Sequence, residues 1–382
     1  IVVQKYILRE IIRISGKVIQ NAYDETTDVF NLLDEAESEL FKVTEGNIRK
    51  DYESMASLLF KAQSEIEIAM QKEDGINGIG SGFKELDKIT SGWQKSDMIV
   101  VAARPGMGKT AFVLSMARNV AVDYKHPVAI FSLEMSSIQL VNRLISGEAE
   151  IPAEDIRRGN FSKSEFEQFF ERTKSLSEAP IYIDDTPALS IFELRAKSRR
   201  LKQQHNVQLI IIDYLQLMSS GGKGGNREQE ISNISRSIKE IAKELEIPII
   251  ALSQLSRSVE TRGGDKRPML SDLRDSGAIE QDADIVGFIY RPEYYQLTEW
   301  PDGSPCNNQG EIIIAKHRNG SLKDVRLKFI GKYAKFSDLD GLSQNDFMYN
   351  AGMKPNNDFG DDVSSFTMPS KMNDDSSNED PF

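Results

Sequence analysis

The chain of 382 residues has almost no cysteine, only three histidines and no long hydrophobic run. Its single thiol, Cys306, excludes an internal disulfide framework and a cysteine-built zinc site, and it fits a reducing cytoplasm. His126, His205 and His317 lie far apart and show no metal-ligand spacing. No stretch approaches the roughly 20 apolar residues that a membrane helix needs, so no membrane association is expected. An excess of positive charge is missing too. The net charge is −12, opposite to the usual footprint of a nucleic-acid binder. That deficit is local, because from Asp338 to the end ten Asp or Glu face two Lys, which leaves the rest near −4. A near-neutral body can still carry a local basic groove, so nucleic acid is not excluded.

What is present is ordinary globular material, 39% hydrophobic and 28% charged. The chain opens at Ile1 without a Met or a signal-peptide pattern, and a fragment with an upstream natural N-terminus is expected. Residues 1–48 read as helices, with Ile7, Leu8, Ile11, Ile12 and Val18, then Leu32, Leu33, Ala36 and Leu40, at helical spacing. Residues 49–75 form a second helical segment with Leu58, Leu59, Ala62, Ile66 and Ala69 on one face. It either packs on its own domain or docks on a neighbouring subunit. From 76 to 337 short Val- and Ile-rich runs alternate with helical stretches. The runs are Met98–Ala103, Val128–Leu133, Ile181–Ile183, Leu209–Ile212, Ile249–Leu252 and Ile285–Ile289. Continuous apolar strands between helices imply an α/β domain with a mostly parallel central sheet covered on both faces. Residues 338–382 lack periodicity and read as an acidic disordered tail.

Ala103-Arg104-Pro105-Gly106-Met107-Gly108-Lys109-Thr110 follows one of those strands and opens a helix. This is the setting of a P-loop, in which backbone N–H groups and a helix N-terminus cradle phosphates. Arg104, Pro105, Gly106, Met107, Gly108, Lys109, Thr110 and Ala111 are therefore the nucleotide-binding candidates, and ATP with Mg²⁺ is the expected cofactor. Ala103 stands where the first glycine of the pattern is usual. Lys109 would reach the β and γ oxygens, and Thr110 would offer its hydroxyl to Mg²⁺. Four apolar residues ending in Asp213 have the form of a magnesium-holding acid. Glu134, just past the next core strand, could orient and deprotonate an attacking water; the bland alternative is a solvated strand-end acid. Gln254 ends a further strand with an amide that can donate to a γ-phosphate and accept elsewhere.

Taken in order, these residues resemble the bacterial DnaB-type replicative helicases. The match rests on Asp213-Tyr214-Leu215-Gln216-Leu217 and Ser253-Gln254-Leu255-Ser256-Arg257, with Asp272-Leu273-Arg274-Asp275-Ser276-Gly277, Glu280-Gln281-Asp282-Ala283-Asp284 and Lys316-His317-Arg318-Asn319-Gly320. The resemblance covers about residues 30–336. His317 and Gly106 depart from the Gln and Ser common at those positions, and neither side chain is needed for the chemistry. The resemblance implies a RecA-like ATPase domain in a hexameric ring, with ATP between subunits and single-stranded DNA in the channel, translocating 5′ to 3′. It implies that residues 1–48 end a helical N-terminal domain and that 49–75 hold a linker helix. A helicase loader and a primase are expected partners, primase mainly through the part of that N-terminal domain not present here. Arg318 would act as an arginine finger in the neighbour's site, assisted by Lys316, and Arg274, Asp275 and Gly277 would line the DNA channel.

Other segments carry weaker signals. The glycine-rich run from Ser219 to Arg227 suggests a loop that orders on DNA, with Lys223 and Arg227 as its cations. The stripe Ile231, Ile234, Ile238, Ile241 and Leu245 is expected to be core. Arg195, Lys197, Arg199, Arg200 and Lys202 read as a solvated basic face, and Asp184-Asp185 as a turn or cap. Arg257, Arg262, Lys266 and Arg267 could face nucleotide, DNA or a subunit interface. The closing Pro381-Phe382 resembles the acidic Pro-Phe tip of bacterial single-stranded-DNA-binding proteins. Two alternatives remain open here. A RadA-type recombination or branch-migration ATPase would be expected to carry a cysteine zinc finger and a Lys-Asn-Arg-Phe-Gly motif; a non-enzymatic scaffold would be expected to lack Lys109, Glu134, Asp213 or Arg318.

Overall fold

The computed structural model describes residues 2–24, 54–72, 75–160, 162–219 and 227–339, with isolated positions between 32 and 43. The expected tail from residue 340 onward and the centre of the glycine-rich loop, including Lys223, lie outside the described residues. Among the described residues no helix is long and apolar enough to cross a membrane. Helix α1 (Val2–Ala22) buries Ile14 against a cavity wall that includes Leu32 and Ala36, and Arg13 and Lys17 pair with Glu39. Helix α2 (Met55–Met70) begins where the Ser54 side chain accepts from the Ser57 amide, a standard N-cap.

The centre of the fold is a nine-stranded sheet in the order β3-β2-β4-β5-β1-β6-β7-β8-β9. The strands are β1 (Met98–Ala103), β2 (Val128–Ser132), β3 (Ile181–Asp184), β4 (Leu209–Asp213), β5 (Ile249–Gln254), β6 (Ile285–Tyr290), β7 (Gln309–His317), β8 (Asp324–Ile330) and β9 (Lys335–Ser337). The first six are parallel, and β7, β8 and β9 extend one edge antiparallel. β1, β2 and β4 are buried along their whole length, which is why they read as unbroken apolar runs instead of alternating ones.

Successive residues of β1 point to opposite faces and enter two separate cores. Met98, Val100 and Ala102 pack with helix α3 (Arg227–Leu245), whose Ile231, Ile234, Ile238 and Ile241 are all buried, as the stripe predicts. Ile99, Val101 and Ala103 pack with helix α4 (Lys109–Arg118) on the other face. There Phe112 stacks on Phe83 at 5.3 Å and meets Phe336 edge-on at 5.8 Å, so the phosphate-loop helix is anchored by aromatic packing.

Helix α5 (Ile191–His205) differs from expectation. Its basic run is not a solvated face: Arg195 is buried and pairs with Glu240 and Glu244 of α3, while Lys197 pairs with Asp184. The acids that neutralise Arg195 lie some 45 residues away, beyond the reach of a local charge pattern. The expected turn at Asp184-Asp185 is present, with the Asp184 carboxylate accepting from the Thr186 amide and Asp185 accepting from the Ser137 amide.

Candidate functional site

The C-terminal ends of the parallel strands converge on the loop between β1 and α4. Gly106 and Gly108 both adopt positive φ, 80° and 96°. A Cβ on Gly108 would approach Phe336 at 3.1 Å and Phe329 at 3.3 Å, so an added side chain would press on both rings as well as strain the positive-φ backbone. Met107 is 2% exposed and pins the loop into the core. Lys109 Nζ donates to the Ala103 carbonyl at 3.0 Å, which folds the side chain back over its own loop. Burial pushes the Lys109 ammonium below its ordinary value, while the charges of Asp213 and Glu134 pull it back up.

Asp213, at the end of β4, is 2% exposed and accepts from the Thr110 hydroxyl at 2.9 Å. Its burial raises the carboxyl, the Thr110 bond opposes that, and the charge of Glu134 raises it further. Glu134 is exposed, two residues beyond β2, in a turn closed by Ser132, whose hydroxyl donates to the Met135 carbonyl at 2.7 Å. The turn is tied to β4, because the Leu133 amide donates to the Asp213 carbonyl at 2.7 Å. Lys109, Thr110, Asp213 and Glu134, drawn from three separate strand ends, thus form one electrostatic group. Gln254 ends β5 in register with Ala103, at the root of the same loop. Among the described residues no group of three or more His, Cys, Asp or Glu could hold a metal by itself. Two adjacent oxygens, from Thr110 and Asp213, could nonetheless serve a cation that takes its remaining ligands from phosphate and water.

Lys316 and Arg318 sit at the opposite end of the parallel strands. His317 is level with Ile285, and Ile285 is level with Ile99, near the start of β1. The phosphate loop begins after Ala103, roughly 13 Å further along the strand at about 3.3 Å per residue. Lys316 Nζ donates to the Glu280 carbonyl at 2.6 Å, and Arg318 Nη2 to the Gln281 carbonyl at 2.7 Å. Arg318 also lies 3.4 Å from Asp284. Burial and the charge of Arg318 lower the Lys316 ammonium from its usual value.

Residues 78–338 match the model of the DnaB-like helicase C-terminal domain. The chain is 48% identical over 341 residues to the replicative DNA helicase DnaB of Geobacillus stearothermophilus, covering 89% of this chain and 74% of that one. It is 46% identical to the replicative DNA helicase DnaC of Bacillus subtilis (strain 168) over the same shares. The chain belongs to the DnaB-like replicative helicases. It is accordingly a replicative DNA helicase, an ATP-dependent enzyme. Its fold is that of the RecA-like ATPase domains in this family. A solved ATPase domain superposes with TM-score 0.70 at 41% identity, covering 76% of this chain and all of that one. A DnaB-like replicative helicase solved in a study of its interactions with primase superposes with TM-score 0.72 at 37% identity, covering 88% and 77%.

Several side chains of the helicase have surroundings that motif reading did not foresee. The Arg104 guanidinium is committed to the Leu255 carbonyl at 2.7 Å and to Glu260, so only its backbone is left for phosphate. Arg227 bonds the Gln216 carbonyl and Glu230. Arg262 pairs with buried Asp272, and Arg267 pairs with Glu311 at 2.6 Å and Asp324 at 2.7 Å, so both serve the fold. The Arg274 and Asp275 side chains lie outside the described residues, and Gly277 is exposed at the start of helix α6 (Gly277–Asp282). Three residues beside the loop had no sequence signal. Tyr294 would meet a Cβ on Gly106 at 3.0 Å, Arg291 donates to the Gly106 carbonyl at 3.4 Å, and the Arg291 guanidinium lies 3.9 Å over the Phe329 ring. Gln216, named above only as a member of the Asp213–Leu217 motif, donates to the Ser253 hydroxyl at 2.8 Å and so braces the strand that ends in Gln254.

Proposed function

We propose that the helicase works as a homo-hexameric ring on single-stranded DNA, with each ATP completed by a neighbour's Arg318. The observation that carries this reading is the separation of Arg318 from its own phosphate loop along one rigid sheet. A group held at the far end of the strands cannot serve the site of its own subunit, but a head-to-tail arrangement brings that end to the next subunit's loop.

Within one site, backbone N–H groups from Arg104 to Ala111 and the N-terminus of α4 hold the phosphates. Lys109, already desolvated, supplies the counter-charge at the β and γ oxygens. Thr110 and Asp213 would hold Mg²⁺, which when bound neutralises charge on the β- and γ-phosphates. Glu134 orients the attacking water and accepts its proton, Gln254 reports whether a γ-phosphate is present, and the neighbour's Arg318 with Lys316 meets the charge on the transferring group. Arg291, Phe329 and Tyr294 frame a seat for the base and ribose beside the loop, where a flat cation and aromatic faces suit a nucleobase.

DNA would be gripped by Arg274, Asp275 and Gly277 together with the loop carrying Lys223 and Arg227. Backbone contacts suit a motor that ignores sequence. Residues 1–48 would close a helical N-terminal domain, 49–75 link it to the motor at 76–337, and 338–382 form an acidic tail. Helix α2 supports the linker reading: Leu58, Phe60 and Ile66 are 46%, 74% and 59% exposed, and an apolar helix so uncovered gains stability by docking on an adjacent subunit. A loader and a primase, the latter through an N-terminal domain, would meet this ring in the cytoplasm, and the Pro381-Phe382 tip would dock on replication partners.

The test is subunit mixing. Arg318→Ala and Lys109→Ala chains are each expected to bind DNA yet hydrolyse no ATP, and their mixture is expected to recover activity from loops served by intact arginines. Mass in solution with an ATP analogue and single-stranded DNA should reach six chains. A stable monomer that hydrolyses ATP at the full rate would overturn the reading.

A further inference from the structure

The charges buried behind Arg318 have no part in the chemistry above. Asp284, the residue before β6, is 5% exposed. Its carboxylate accepts from the Met98 amide at 2.8 Å, pairs with Lys239 of α3, and faces Arg318 Nη1 at 3.4 Å. Its carbonyl accepts from the Arg318 amide at 2.9 Å. The Arg318 side chain, 47% exposed, is therefore held from behind by one carboxylate and by the Gln281 carbonyl at the end of α6. An exposed long cation normally keeps its rotamer freedom, which it must give up on engaging a partner. Holding the guanidinium beforehand removes part of that cost. Orientation matters here, because a misplacement of about 1 Å in a reacting constellation costs about 100-fold in rate.

We propose that Asp284 is a positioning residue for Arg318, presenting the guanidinium in the orientation that the neighbouring ATP site requires. The inference rests on the reading of Arg318 as a group that acts in trans. Asp284 also fastens β1 and α3 to the start of β6, so its structural and positioning parts must be separated. The geometry allows this. Lys239 is the buried cation that Asp284 neutralises, and removing both members of a buried pair is far milder than removing one.

The experiment uses the assembled chain and compares Asp284→Asn with the double variant Asp284→Asn/Lys239→Met. For Asp284→Asn, kcat for ATP is expected to fall about ten- to hundred-fold, with KM and the affinity for an ATP analogue within about two-fold of wild type. Mixing with Lys109→Ala subunits should restore turnover, because their intact, well-held Arg318 then serves the loops of Asp284→Asn subunits. The double variant should regain Tm and remain slow. Recovery of both Tm and turnover by the double variant would show that Asp284 is only structural and would overturn the proposal. So would a change confined to KM, or a failure of the Asp284→Asn mixture to recover when the Arg318→Ala mixture does. An Arg318→Ala chain with wild-type turnover would instead remove the trans reading itself. Full turnover of Asp284→Asn beside an inactive Arg318→Ala chain would remove only the positioning role.

Discussion

The two ends of the sheet are built on different plans. At the C-terminal ends of β1, β2, β4 and β5, Lys109, Thr110, Asp213, Glu134 and Gln254 gather within one subunit, and two of them already bond each other. At the other end Arg318 and Lys316 are fastened to carbonyls and one carboxylate, a full strand length from the phosphate loop. On the proposed reading one end supplies the residues of hydrolysis and the other supplies what a neighbour would lack. An enzyme divided this way would stay inactive until assembled.

The division between the two ends is tested most directly by Arg318→Ala. ATP binding is expected to persist while kcat falls about 1,000-fold or more, the scale of an arginine finger, as read by analogue binding beside steady-state ATPase. Glu134→Gln tests the complete end, and its turnover should drop about 100- to 1,000-fold without loss of nucleotide affinity. Retained turnover would return Glu134 to the role of a solvated acid. Gln216→Leu probes the brace under Gln254, with an expected loss of roughly ten-fold in DNA-stimulated ATPase, about 1.4 kcal/mol in barrier terms. An unchanged ratio of stimulated to basal rate would reduce Gln216 to packing.

The smallest effect concerns Asp97, which precedes β1 at the arginine end. Its carboxyl is pushed up to about 6, first by burial and then by the charge of Asp284, with Lys239 and Arg318 opposing. Because the folded pKa lies above the unfolded one, folding favours the protonated form. Stability associated with this group is lost as pH rises from about 4 to about 6. Asp97→Asn should therefore stabilise the chain at pH 7 by about 1 kcal/mol, discounted for partial solvent access, and do nothing below about pH 4. Paired Tm measurements at the two pH values check the sign. A variant equally stabilised at both would refute it.

The gathering of Lys109, Thr110 and Asp213 at one end of the sheet was legible in the sequence because each follows a core strand. A strand-loop-helix context marks Lys109 and Thr110, and an apolar run ending in an acid marks Asp213. Arg291, Tyr294 and Phe329 left no such trace. They reach the loop from the end of β6, from the turn after it and from β8, and their approach depends on how the antiparallel strands are added. The basic run of α5 misled for the same reason, since its acids come from α3, a neighbour in space and not in sequence.

The strands, the strand-loop-helix unit around Lys109, the order of the acids behind it and the family are all carried by local periodicity and short motifs, which are written in neighbouring residues. Tertiary structure alone decided which end of the sheet each group occupies. Strand register sets that choice: it places His317, the residue before Arg318, level with Ile285 and so with Ile99, while Gln254 sits beside Ala103. Two groups that the proposed mechanism joins in one reaction thereby fall at opposite ends of one set of strands, and the proposed division of the site between subunits follows from that placement.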